Sequence, residues 1–130
     1  MSDIFLKIVQ GKLDCYKVAE DKNHLAFLDI SPLQEGHVLV IPKQKIDYLF
    51  DMESEEYLLL WTFARKVAKG MKKVFLCDRI GVSVVGLEVP HVHIHLLPIN
   101  QISDMNFEKS RIKLSHQRMK EISNLINKAI

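Results

Sequence analysis

Three observations predict an α+β fold, an antiparallel sheet with helices on one side. Short apolar or alternating runs are joined by turns of hairpin length. A long amphipathic helix interrupts them, and a second closes the chain. The resulting order is short helix, strands, long helix, strands, helix.

Each element has its own signal. Residues 3 to 10 suit one or two helical turns, with Ile4, Phe5 and Ile8 on one side and Gly11 as the stop. Cys15 to Glu20 and Leu25 to Leu28 read as strands around the polar turn Asp21-Lys22-Asn23. Ser31-Pro32 breaks the chain, and Gly36 leads into His37-Val38-Leu39-Val40-Ile41, a run suited to a strand covered on both faces. Ser54 is the expected N-cap of the long helix, with Glu55 and Glu56 in its first turn and Lys69, Lys72 and Lys73 near its end. Its stripe of Leu60, Phe63, Ala64, Val67, Ala68 and Met71 keeps the i, i+3, i+4 spacing and is expected in the core. Residues 79 to 85 and 91 to 97 read as strands joined around Gly86. A last helix from about Ser115 carries Met119, Ile122, Leu125, Ile126 and Ala129, a stripe expected to pack on the sheet or on a partner.

Length and charge narrow the function. The 130 residues fit one domain, 1–130, with a formal net charge of +2 from 18 basic and 16 acidic side chains. That balance argues against a duplex-DNA groove or an acidic membrane surface as main partner, and dispersed lysines argue against nucleic acid generally. No apolar stretch approaches the ~18 residues that a membrane span needs, and no secretory signal is read at the start. Cys15 and Cys77 supply neither a metal knuckle nor a disulfide framework, so a reducing, cytoplasmic setting is expected.

The chemistry lies in Pro90-His91-Val92-His93-Ile94-His95-Leu96-Leu97-Pro98. With six histidines in 130 residues, chance gives His-x-His-x-His about once in 10,000 windows. On a strand, His91, His93 and His95 share one face at ~6.5 Å spacing, while Val92, Ile94 and Leu96 turn to the core. A neutral imidazole can attack phosphorus, and its neighbours can hold the phosphate oxygens. His-x-His is also a zinc geometry, and spacing alone leaves catalysis, metal binding and a structural role open. His24 and His116 are expected to be structural or solvated.

The whole pattern resembles the histidine triad (HIT) superfamily of nucleotide hydrolases and transferases, in its Hint-like branch. His91 through Leu97 matches the signature His-φ-His-φ-His-φ-φ, where φ is apolar. Ile4-Phe5-x-x-Ile8 with Gly11, Phe27-Leu28-Asp29-Ile30-Ser31-Pro32 and Gly36 to Lys43 resemble further blocks in order. The likeness covers about residues 3–98, leaving a helical extension at about 115–130. It implies a HIT-like fold with a five-stranded antiparallel sheet, commonly paired as a homodimer.

The resemblance also implies roles. His93 would attack the α-phosphorus of a purine nucleoside phosphoramidate or related conjugate, and water would then release the nucleoside monophosphate. His95 and His37 would contact phosphate oxygens, and His91 would orient the site. Asp29 would accept from the ribose hydroxyls, although it also suits a turn cap before Ser31-Pro32. Ile4, Phe5, Ile8, Phe27, Ile30, Leu39 and Val89 would surround the base. No cofactor and no metal are expected, since position 6 is Leu where some members carry a zinc-binding Cys. The family's Gly-Gln-Ser or Gly-Gln-Thr before the triad is Gly86-Leu87-Glu88 here, and the second histidine of its Pro-Lys-x-His variant is Lys45. Leu87 cannot hydrogen-bond and Glu88 would repel phosphate, so a nucleotide-binding or sensing module with little catalysis is the rival reading.

Overall fold

The computed structural model describes residues 3–130. Helix α1 (Ile4–Val9) is followed by β1 (Lys17–Glu20), β2 (His24–Leu28) and β3 (Val38–Pro42). Helix α2 (Ser54–Val74), β4 (Arg79–Ser83), β5 (Ile94–Ile99) and α3 (His116–Ala129) complete the chain. The strands form one antiparallel sheet in the order β1-β2-β3-β5-β4. No helix among the described residues is long and apolar enough to cross a membrane.

The sheet has two unlike faces because alternate residues point oppositely. Ala26, Leu28, Val38, Val40, Ile94 and Leu96 meet Leu60, Phe63, Ala64, Val67 and Met71 of α2 and Met119, Ile122 and Ile126 of α3. Leu25, Phe27, Leu39 and Ile41 face the other way and pack with Phe5. Helices therefore cover both faces, not the single face expected. The short α1 shelters apolar residues on the second face of the fully buried β2 and β3.

Three local expectations need correction. Helix α2 begins at Ser54 itself, with extended Glu53 as the N-cap. Strand β5 starts at Ile94, not at residue 91, because the ladder with β3 ends at the pair Val40–Ile94. Beyond it, Val92 N–H donates to Ile46 O at 2.7 Å, and the carbonyl of Pro42 is taken by the His91 ring. Val92 still joins the core beside Ile94 and Leu96, so the facing pattern outlasts the ladder. Leu125 is 48% exposed, because Met119, Ile122 and Ile126, with Ser123, define a narrower buried stripe of α3.

Two glycines have backbone duties. Gly11 takes φ +76° just past α1, where its N–H donates to Ile8 O, and so ends the helix as expected. Gly36 takes φ +90° ahead of β3, and a Cβ there would lie 2.5 Å from the Phe75 ring.

Candidate active site

Strand register builds the site. Phe27 pairs with Leu39, and Leu39 with His95, so these three form a row across the α1 face of the sheet. At one end of that row, Asp29 N–H donates to His37 O at 2.9 Å, extending the β2–β3 ladder by one pair. The turn 29–37 thereby delivers Asp29 and His37 beside His95. Glu35 in this turn holds Arg118 of α3 through two hydrogen bonds of 2.6 and 3.0 Å.

Hydrogen bonding fixes the histidine tautomers. Leu33 N–H donates to His37 Nδ1 at 3.0 Å, so the His37 proton resides on Nε2. That Nε2–H donates to His95 Nδ1 at 2.9 Å, which leaves His95 with its own proton on Nε2. Burial pushes both imidazoles down to about 3, helped by His95, Arg111 and His93 in the case of His37 and by His93 and Arg111 in the case of His95, so both are neutral near pH 7. In His93, Nδ1–H donates to the backbone oxygen of His91 at 2.7 Å, leaving Nε2 with a free lone pair. Burial also lowers the His93 pKa, although the bond to His91 O opposes it. His91 donates from Nε2 to Pro42 O at 2.8 Å, while its buried Nδ1 has no partner among the described residues.

One oxygen of Asp29 caps a turn, as its position before Ser31-Pro32 allowed, by accepting from Ser31 N–H at 2.9 Å. The other lies 3.5 Å from Arg111 Nη1 and 3.7 Å from His37 Nε2. Burial raises the Asp29 pKa, opposed by the Ser31 N–H and the Arg111 charge.

A cavity of about 580 Å³ opens over this row, within the size range of small-molecule sites. Ile4, Phe5, Ile8, Phe27, Asp29, Ile30, Leu39 and Val89 all line it, as do His93 and His95. Ile30 sits at the rim, 71% exposed. The rings of His93 and His95 are 4.9 Å apart, and Phe5 stands edge-on to His93 at 5.0 Å. His37 and His91 do not line the cavity: His37 stands behind His95, and His91 touches His93 through its backbone oxygen. Glu88 is at the wall and Leu87 is 88% exposed. Lys45 pairs with Asp3 at the start of α1. His24 and His116 lie off the site, bonded to Asp21 and Tyr16.

Asp29, His37 and His95 also present ligand atoms within 4.8 Å of one another. A divalent cation there would need His37 Nε2 without its proton. The neutral ring would then carry hydrogen on Nδ1, against the Leu33 N–H, setting two donors face to face. This arrangement suits the proton better than a metal ion.

Sequence reasoning missed Phe107 and Arg111. Arg111 lines the cavity, donates from Nη1 to Ser31 O at 2.7 Å, and stands 6.0 Å from the Phe107 ring centre. Phe107 lies edge-on to His95 at 4.7 Å and to His37 at 6.3 Å. Both come from a segment without helix or strand periodicity. Its one signal was an isolated aromatic among the cations Lys109, Arg111 and Lys113.

Known proteins share this architecture. The HIT domain family model matches residues 10–102. An uncharacterized HIT-like protein of Borreliella burgdorferi is 33% identical over 128 residues, 92% of each chain. The adenosine 5′-monophosphoramidase of Schizosaccharomyces pombe is 38% identical over 100 residues, 75% of this chain and 74% of its own. A solved HIT-like protein from Bartonella henselae superposes with a TM-score of 0.85 at 30% identity, covering 98% of this chain and 95% of that one. By the span of the family match and by these identities, the chain belongs to the HIT domain family.

Proposed function

We propose that this protein is a HIT-type hydrolase that cleaves a purine nucleoside phosphoramidate, or a related nucleotide conjugate, through a nucleotidyl-histidine intermediate. The observation that carries the reading is the His93 ring, whose Nδ1–H is spent on His91 O while Nε2 keeps its lone pair at a cavity wall. The similar Schizosaccharomyces protein is a monophosphoramidase, which supports the same reaction class.

The chemistry follows from the tautomers. His93 Nε2 donates its lone pair to the α-phosphorus, and the P–N bond to the leaving amine breaks. The departing nitrogen takes the bonding pair and a proton from water at the open mouth. Charge growing on the phosphoryl oxygens is met by His95 Nε2–H, a donor held in place before reaction begins. Water then attacks the same phosphorus, the P–Nε2 bond breaks, and His93 recovers its lone pair. The water gives up a proton to solvent as the nucleoside monophosphate leaves. Asp29 would accept from a ribose hydroxyl through the oxygen not used by Ser31, with Phe5, Phe27, Leu39 and Val89 against the base.

The rival reading, a nucleotide-binding module with little turnover, draws on Glu88 at the cavity wall, whose charge would oppose an incoming phosphate. Mass spectrometry of protein quenched during turnover of adenosine phosphoramidate decides between them. A nucleotidyl adduct on His93 is expected. Tight binding of AMP with neither adduct nor turnover would establish the module instead.

A homodimer is part of the same proposal. Among the described residues, strand β4 ends the sheet with an unpaired edge, where Val82 is 49% exposed, and Val85 just beyond the strand is 45% exposed. Analytical ultracentrifugation should give twice the chain mass, and a monomer at micromolar concentration would overturn this part.

A further inference from the structure

Residues 106–114 run alongside the 29–35 turn and are pinned to it. Ile112 N–H donates to Pro32 O at 2.9 Å, Arg111 Nη1 to Ser31 O at 2.7 Å, and Lys109 Nζ to Gln34 Oε1 at 3.1 Å. This strap lies outside the span matched by the family model, which ends at residue 102. It sets a guanidinium 3.5 Å from the oxygen of Asp29 that does not cap the turn.

A carboxylate that only had to accept from two neutral hydroxyls needs no cation at its side. The Arg111 side chain is 32% exposed and lines the cavity, and both of its hydrogen bonds leave from Nη1. The remaining N–H groups of a guanidinium form a planar fork suited to a phosphate group. Any substituent on a sugar hydroxyl bound at Asp29 would fall within reach of that fork. A phosphate on one hydroxyl still leaves the other to donate to Asp29.

Resting on the nucleotide reading above, we propose that Arg111 makes the sugar edge of the cavity a second anion site. The preferred nucleotide then carries a phosphate on its 2′- or 3′-hydroxyl in addition to the reacting 5′-phosphoryl group. A phosphate monoester brings ~1.5–2 negative charges at neutral pH, which Arg111 would meet where Asp29 alone would repel.

Calorimetry with AMP, adenosine 2′,5′-bisphosphate and adenosine 3′,5′-bisphosphate tests this on the intact protein. One of the bisphosphates should bind about tenfold more tightly than AMP, as a charge-assisted pair allows. Arg111→Gln keeps a donor for Ser31 O but no charge, and should bring that ratio to about one. Arg111→Lys should retain part of the preference. The proposal is overturned if AMP binds as well as either bisphosphate, if Arg111→Gln keeps the preference, or if none of the three binds. Turnover and the His93 adduct are read separately, so failure of the hydrolase reading and failure of the second anion site are distinguishable.

Discussion

His37 Nε2 and His95 Nδ1 are 2.9 Å apart, and the Leu33 N–H behind them decides which ring owns the proton. The pair is a directional chain of donors that ends at the cavity. Under the proposed hydrolysis, His37 would therefore act through His95. His37→Ala should lower kcat on adenosine phosphoramidate by about 10² with a smaller change in KM, because the donor loses its fixed orientation. His37→Gln, whose amide can still donate to His95 Nδ1, should recover part of that loss. Steady-state kinetics on the three proteins check it, and equal losses in alanine and glutamine variants would sink the relay.

The triad histidines should not be equivalent. His93→Ala and His93→Gly remove the proposed nucleophile and should abolish the adduct and nearly all turnover, by about 10³ or more. His91→Ala leaves the backbone oxygen that His93 uses and removes only the ring bonded to Pro42 O. Its loss of kcat should be at least tenfold smaller than that of His93→Ala, with reduced thermal stability. Parallel kinetic and melting measurements separate the two. Equal kinetic losses would show that the His91 ring itself takes part.

Much of this was legible in the sequence because the periodicities are physical. The His-φ-His-φ-His pattern fixed which side chains turn to the core, and that held for Val92 even where the β-ladder had ended. The ordered blocks resembling the HIT family found the lining from Ile4 to Leu39. Alternation alone did not separate His91 from His93, since it places both on one face; only the family resemblance singled out His93, the one of the two that lines the cavity. The strap was hidden for another reason. Arg111 meets Asp29 and Phe107 meets His37 and His95 from a segment with no regular period of its own, and such tertiary contacts leave no local signal.

Gly36 couples the fold to the site. It holds φ +90° next to His37, with the Phe75 ring where a Cβ would go. Gly36→Ala meets both backbone strain and a rigid aromatic ring, and should cost more than about 1 kcal/mol of stability. Thermal unfolding reports the loss, while kcat/KM should fall as His37 is displaced. An unchanged melting temperature would mean that the turn relaxes freely.

Acid should weaken both function and fold through the buried histidines. The proposed attack needs neutral His93, whose pKa burial holds below the ordinary 6.5. The acid limb of the kcat/KM profile should therefore lie below pH 6.5. Stability follows His37 and His95, which are held at about 3 in the fold and return to about 6.5 in the unfolded chain. Above pH 6.5 neither state binds these protons, so their stabilising effect is whole. Between pH 6.5 and 3 the unfolded chain binds both protons and the folded one does not, so stability falls steadily as pH drops. Denaturant melts from pH 7 to pH 4 should show that decline. His37→Gln removes one titrating ring and should flatten the slope by close to one proton. An unchanged slope in that variant would mean His37 is already protonated in the fold, which the donor chain from Leu33 to His95 forbids.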